Sequence, residues 1–209
     1  MPNKAPFIAE IDKVYFEKYP KKISHVESGV LPDAYLGNFE NAKVIFLALN
    51  PGFHKEDLQS YMNDSSYIEA NRASLLQKAD DFYVLNKEFE KYEGYKWWKK
   101  KLKSLIDDGI SIDTLRKKIM CIQYFPYHSI KYRHTQQLLP SQEYSFHLVK
   151  KAIRLKKKIV LMRSEKIWLQ DVPELKGEYM KLKNYRNPTV SRGNMENGEY
   201  EKIFRLLSE

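Results

Sequence analysis

Three short apolar runs stand out from an otherwise polar chain, and each run begins with a basic residue. They span residues 43–49, 118–124 and 157–163. Continuous apolar runs of this length are typical of parallel strands that are buried on both faces. A fourth segment, residues 178–183, alternates apolar and polar residues, which predicts an edge strand with one solvated face.

Helical patterns lie between these strands. In residues 141–156, Phe146, Val149 and Ile153 recur at helical spacing, and Ser141 precedes them as an N-cap. The sequence of residues 194–207 predicts a closing helix. Alternating strands and helices predict a three-layer α/β/α fold around a four-stranded, mostly parallel sheet with right-handed crossovers. In such sheets, functional sites form at the carboxyl ends of the strands.

The 209 residues contain no internal repeat and no linker-like segment, so we expect a single domain over residues 1–209. Residues 1–40 are interpreted as an N-terminal extension, with a helix followed by a loop rich in Gly and Pro. Residues 58–108 are interpreted as a helical insertion after the first strand, anchored to the core by Trp97 and Trp98. The insertion is a candidate lid or DNA-binding surface.

Composition narrows the classes of function. Thirty-six basic and 27 acidic residues give a net charge of +9, which favours a nucleic-acid partner without establishing one. The single cysteine, Cys121, excludes an internal disulfide framework and a CxxC zinc site. The longest apolar run, residues 44–49, is far shorter than the ~20 residues of a membrane span. We expect a soluble, cytoplasmic monomer without a membrane partner, nucleoid-associated if the source is bacterial.

Distinctive short motifs follow three of the predicted strands. They are Asn-Pro-Gly-Phe-His at residues 50–54, Phe-Pro-Tyr-His-Ser at 125–129, and Asn-Pro-Thr-Val-Ser-Arg-Gly-Asn at 187–194. Because parallel strands end at the same edge of a sheet, we expect these motifs to converge on one rim. Taken singly, each Asn-Pro pair is also explained as an ordinary turn.

Taken together and in this order, the motifs resemble those of the uracil-DNA glycosylase superfamily, in its mismatch-specific and single-strand-selective branches. The first family motif is G-x-N-P-G, and residues 48–52 match it except that Ala48 replaces the leading glycine. Residues 123–126, Gln-Tyr-Phe-Pro, are similar to N-Y-C-P. Residues 187–191 are similar to H/N-P-S-x-x-S. The resemblance covers about residues 40–205.

The resemblance implies a DNA repair enzyme that flips a uracil-type base out of the helix and hydrolyses its N-glycosidic bond, as a monofunctional hydrolase of base excision. It implies no metal and no cofactor. Asn50 would place the attacking water, Gln123 would read the base, and Asn187 would stabilise the leaving group. The remaining residues implied are Pro51, Gly52 and Phe53 at the base, with Phe53 stacking on it, and Val190, Ser191 and Arg192 at the DNA.

Several points stay open at this level. A side-chain amide at Gln123 matches the edge of uracil and, when flipped, that of cytosine. Some family members carry Tyr where Gly52 stands, so this chain is expected to admit 5-substituted pyrimidines. His54 and His128 are secondary candidates for acid–base chemistry. The removed base, and the choice between single- and double-stranded DNA or RNA, are not decided.

Two alternatives remain. The first is a nucleic-acid-binding or nucleotide-binding module that keeps the fold without catalysis. The second is a metal-dependent nuclease, for which Pro32-Asp33 and Glu174-x-Lys176 are the nearest fragments of a signature. The lysine triplets at residues 99–101 and 156–158 are interpreted as solvated helix faces in preference to phosphate contacts.

Overall fold

A five-stranded sheet forms the centre of the fold, in the order β1-β3-β2-β4-β5. A computed structural model describes residues 8–54, 58, 63–134 and 137–209 of the chain. The strands are β1 (Tyr35–Leu36), β2 (Val44–Ala48), β3 (Ile119–Gln123), β4 (Lys158–Leu161) and β5 (Met180–Lys181). The predicted α/β class is confirmed, but the sheet has five strands rather than four. The additional strand, β1, is antiparallel to β3 and too short to show a periodic pattern.

The central strand β2 positions the site. It pairs in parallel with β3 on one side, from Val44↔Ile119 to Ala48↔Gln123, and with β4 on the other side. The connection after β2 therefore leads to the strand on one side of β2, and the connection after β3 leads to the strand on its other side. In open α/β sheets, the crevice at such a switch point, outside the carboxyl ends of the strands, is where ligands bind.

Helices cover both faces of the sheet because the strand residues alternate between two apolar clusters. Val44 and Phe46 face one cluster, and Ile45 and Leu47 face the other. The helices are α1 (Lys13–Lys18), α2 (Ser65–Leu75), α3 (Glu93–Lys101), α4 (Lys103–Asp107), α5 (Ile112–Lys118), α6 (Gln142–Arg154), α7 (Glu165–Asp171) and α8 (Glu199–Ser208). None of the described helices has both the length and the apolar character to cross a membrane.

One predicted helix start is wrong, and a second is confirmed in position but not in its capping bond. The closing helix begins at Glu199 instead of residue 194, because residues 192–194 form a 3-10 turn and Gly198 takes a left-handed φ of 81° before the helix. Ser141 does precede α6, but its hydroxyl donates to Asp12 Oδ2 at 2.6 Å instead of capping the helix. Asp12 also accepts from the Ser141 N–H at 3.0 Å, which ties the N-terminal segment to the start of α6.

The predicted insertion contains three helices separated by turns and short 3-10 segments, while residues 59–62 lie outside the described residues. It contributes α2, α3 and α4 to one face of the sheet. Trp98 is buried against Phe46 and Phe82, as expected for a core anchor. Trp97 is instead 36% exposed, so it is not an anchor.

Candidate functional site

A cavity of about 420 Å³ lies at the carboxyl ends of β2, β3 and β4. Its volume is in the range of sites that bind small molecules. Three strand ends contribute to it, with Asn50 following β2, Gln123 ending β3 and Arg163 following β4. Trp97 of α3 lines its side wall. The predicted rim is thus a real concave site, closed on one side by the insertion.

Neighbouring oxygens fix the orientation of the Asn50 amide. Its Nδ2 donates to Pro51 O at 2.8 Å and to Ser129 Oγ at 2.9 Å. Because a peptide carbonyl only accepts hydrogen bonds, the nitrogen has to face Pro51, which settles the choice between the two amide flips. Asn50 Oδ1 accepts no hydrogen bond from the described residues. The site therefore offers an oriented carbonyl oxygen to a bound molecule.

The loop after β3 holds the Asn-Pro-Gly turn in place. Gly52 and Ser129 form a parallel bridge, and the Ser129 N–H donates to Pro51 O at 3.3 Å. His128 Nδ1 lies 2.6 Å from Gly52 O. Since that carbonyl accepts, Nδ1 carries the hydrogen. The first two motifs of the sequence are therefore joined side by side at the cavity.

Gln123 is 5% exposed and lines the cavity, yet the protein uses neither end of its amide. Oε1 is buried without a hydrogen-bond partner, and Nε2 donates to none of the described residues. Leaving a buried acceptor unpaired costs about 1–3 kcal/mol. Gln142 provides the contrast, since its amide accepts from Leu139 N at 2.9 Å and donates to Tyr124 O at 2.8 Å.

A buried carboxyl group, Asp33, lies behind the turn. It accepts hydrogen bonds from Tyr83 OH at 2.6 Å and from Asn71 Nδ2, and its Oδ2 lies 3.5 Å from His128 Nε2. Burial raises the pKa of Asp33, while His128 and then the Tyr83 hydrogen bond oppose the rise. Both ring nitrogens of His128 therefore face protein groups, Nδ1 at Gly52 O and Nε2 toward Asp33. His128 lines the cavity and supports the turn.

The third motif lies at the edge of the cavity. Pro188 lines it, but Asn187 is exposed and is not among the lining residues. Asn187 Oδ1 accepts from Lys101 Nζ at 2.6 Å and from Thr189 Oγ1 at 3.3 Å. Two donors on the oxygen leave Nδ2 as the amide atom available to a ligand. Asn187 thus presents a donor where Asn50 presents an acceptor.

Of the three residues expected at the DNA, Val190 is placed differently from the prediction, while Arg192 lies on the surface. Val190 is fully buried in the core and its N–H donates to Lys101 O at 2.9 Å, so it does not project from the loop. Ser191 is half-buried. Arg192 is exposed, but its guanidinium pairs with Asp108 at 2.6 Å and Glu201 at 3.0 Å. A phosphate would have to compete with both carboxylates for Arg192.

The expected stacking residue is not part of the cavity wall. Phe53 is 7% exposed and is not among the residues that line the cavity. Trp97, Tyr67 and Tyr132 supply the aromatic lining instead. His54 lines the cavity from an exposed position. Of these aromatic rings, Trp97 is the large exposed one that a base could stack on.

Sequence reasoning gave Trp97 only the role of a core anchor and gave Arg163 no role. It placed Asp33 in a nuclease fragment with Glu174, but Glu174 pairs with Lys150 at 2.9 Å on the surface. In the part of the chain that the structure describes, no three His, Cys, Asp or Glu side chains cluster as a metal site. A signal for Arg163 was present in its position as the last residue of the predicted strand over residues 157–163.

No family model, curated protein or solved structure matches this chain. The function is therefore argued from the cavity and its residues.

Proposed function

We propose that the protein is a DNA N-glycosylase that hydrolyses the bond between a uracil-type base and its deoxyribose. The observation that carries this proposal is the pair of amides in one cavity, at Asn50 and Gln123, whose carbonyl oxygens accept no hydrogen bond from the described residues. The net charge of +9 favours the approach of a polyanionic substrate.

Base recognition belongs to Gln123. A buried acceptor beside an unused donor is complementary to the N3–H and the carbonyl oxygen of uracil. A ligand that pairs both ends removes the cost of leaving the amide unsatisfied. Trp97 supplies a ring face for the extruded base, and stacking on such a face contributes about 1–3 kcal/mol per base.

Water activation belongs to Asn50. Its oriented Oδ1 accepts a hydrogen bond from a water molecule. This bond directs a lone pair of the water oxygen toward C1′ of the sugar. The C1′–N1 bond breaks with its electron pair on the base, the water oxygen bonds to C1′, and the water proton goes to solvent. The anionic base then takes a proton, so that one water is consumed for each base released. A neutral amide is a weak base, so catalysis relies on positioning and on stabilising developing charge.

Leaving-group stabilisation is assigned to the loop that carries Asn187. Lys101 and Thr189 hold its carbonyl end, so Nδ2 is the end that can donate to an oxygen of the departing base. Because Asn187 is outside the cavity lining, this role requires the loop from residue 187 to move inward when DNA binds. Such closure on substrate is a common property of active-site loops.

The testing experiment incubates the protein, with EDTA present, with labelled single- and double-stranded oligonucleotides that carry one uracil. Alkali then cuts any abasic sites. We expect strand breaks that require alkali and that are lost in Asn50→Ala. The matched control is Asn41→Ala, an exposed asparagine remote from the cavity, which should cleave like the wild type.

The second candidate function is a binding module on the same fold, which the exposed position of Asn187 favours. The same assay separates the two. Retained binding of the uracil oligonucleotide without abasic product, at any protein concentration, would reject the glycosylase and support the module.

A further inference from the structure

Arg163 places a positive charge at the cavity, and none of the described carboxylates pairs with it. It follows β4 and lines the cavity, and its Nη2 donates to the backbone oxygen of Arg186 at 3.2 Å. Its Nε is buried with no hydrogen-bond partner. Burial lowers the pKa of the guanidinium, although arginine keeps its charge at neutral pH. The fork therefore retains hydrogen-bond donors that the described part of the chain does not use.

Lys101 is a second cation without a carboxylate partner among the described residues. It is 6% exposed, and its Nζ donates to Asn187 Oδ1 and lies 5.3 Å from the centre of the Trp97 ring. Burial is the main cause that lowers the pKa of Lys101, and repulsion from Arg163 is the next. Lys101 is not itself among the lining residues, but Arg163 and the Trp97 ring beside Lys101 both line the cavity, so the two cations flank the same wall. Neither forms a salt bridge with a carboxylate among the described residues.

The carboxylates of the cavity are engaged elsewhere. Asp33 accepts from Tyr83 and Asn71 and faces His128. Glu93 pairs with Lys96 at 2.6 Å. Removing two like charges from water without a counter-charge is unfavourable, and a bound anion would offset that cost. This end of the cavity therefore favours an anionic ligand.

We propose that Arg163 and Lys101 form an anion subsite that binds a phosphate group of the pyrimidine nucleotide whose base lies at Gln123. A planar guanidinium pairs with two phosphate oxygens at once, and an ammonium adds a compact charge. A cavity of about 420 Å³ has room for a sugar and a phosphate besides the base. The assignment rests on the proposed function for the base, but the phosphate contact is independent of bond cleavage.

Calorimetric titration of the full-length protein tests the subsite with uracil, deoxyuridine, and the 3′- and 5′-monophosphates of deoxyuridine. We expect one of the monophosphates to bind roughly 10- to 100-fold more tightly than deoxyuridine, as hydrogen bonds to charged groups give. Arg163→Gln and Lys101→Met should each lose most of that difference, and Arg163→Gln should leave the affinity for deoxyuridine unchanged. Inorganic phosphate should compete with the monophosphate.

The matched control is Lys100→Met, which removes a neighbouring exposed lysine of the same helix and should bind like the wild type. Thermal unfolding checks that each variant is folded. Arg163→Lys keeps a charge without the planar fork and should retain part of the difference. If Lys101→Met does not fold, the two Arg163 variants decide the matter.

The proposal is overturned if deoxyuridine and both monophosphates bind equally, or if Arg163→Gln weakens nucleoside and nucleotide by the same factor. No detectable binding of either monophosphate overturns it too. A protein that binds a monophosphate through Arg163 and produces no abasic DNA would keep the subsite and lose the glycosylase. Abasic product, together with equal affinities for deoxyuridine and its monophosphates, would keep the glycosylase and reject the subsite.

Two sources share the phosphate chemistry, a nucleotide unit within DNA and a free nucleotide. A single-stranded trinucleotide with uracil at its centre distinguishes them. Tighter binding of the trinucleotide than of either monophosphate assigns the subsite to the DNA backbone, while tighter binding of a monophosphate assigns it to the free nucleotide.

Discussion

Substitution of Gln123 by methionine should stabilise the fold while it removes base recognition. In most buried positions, the loss of a polar side chain removes hydrogen bonds that the protein needs. At Gln123 the described residues make none with either end of the amide, and Oε1 is buried. Methionine has a similar length and a flexible chain that adapts to the surrounding packing.

The magnitude follows from the unpaired oxygen. A buried acceptor without a partner costs about 1–3 kcal/mol, and methionine removes that cost. We therefore expect Gln123→Met to raise the free energy of unfolding by about 1–2 kcal/mol. For a chain of 209 residues this corresponds to a rise in Tm of about 2–8 °C. Sites that trade stability for function are the usual place for such a gain.

Gln142→Met is the matched control, because Gln142 is equally buried and fully bonded. Its loss leaves Leu139 N and Tyr124 O unpaired, so this variant should lose at least about 2 kcal/mol. Urea denaturation, with the m-value checked for constancy, measures both variants. The reasoning is refuted if Gln123→Met destabilises the protein by 1 kcal/mol or more, or if both variants change stability in the same direction.

Three further predictions concern the surroundings of the amides. Burial raises the pKa of Asp33 above its ordinary 3.8, so its ionisation opposes folding and its stabilising contribution falls as pH rises above that value. The difference in urea midpoint between wild type and Asp33→Asn should therefore shift in favour of the variant from pH 4 to pH 7. A constant difference would contradict this. Trp97→Ala should weaken binding of a uracil oligonucleotide roughly 5- to 100-fold with little change in Tm, while Phe53→Ala should lower Tm instead; fluorescence anisotropy and thermal unfolding separate the two, and equal binding by Trp97→Ala would refute the stacking role. Ser129→Ala removes one of the two acceptors that orient the water-binding amide, so it should cost about 0.5–1.5 kcal/mol in stability and lower kcat more than it raises KM; an unchanged kcat would remove orientation from the account.

The sequence predicted the sheet because strands buried on both faces carry an unbroken apolar signal. Val44–Ala48 and Ile119–Gln123 are each buried throughout, and both were recognised. Strand β1 was missed because it spans only Tyr35–Leu36 and is defined by its pairing with β3 rather than by local pattern. Asn194 was placed in the closing helix because nothing local distinguishes the 3-10 turn that it ends.

The candidate site was predicted where it depends on strand ends and missed where it depends on packing. Asn50 and Gln123 lie at the carboxyl ends of the neighbouring parallel strands β2 and β3, so their convergence is a consequence of topology. Trp97 reaches the cavity through the fold of the insertion, which no spacing rule describes. Val190 shows the opposite error, since an apolar loop residue has the same pattern whether it projects outward or, as here, is buried.

Mass spectrometry of the bases released from defined oligonucleotides tests the central claim most directly. A set of single-stranded oligonucleotides, each with one uracil, cytosine, thymine or 5-substituted uracil, is incubated with wild type and with Gln123→Met. The account predicts free uracil together with an abasic oligonucleotide from the wild type, and no free base from Gln123→Met, although that variant is the more stable protein. Absence of any free base from the wild type, or undiminished release by Gln123→Met, would contradict the assignment of the cavity to base excision.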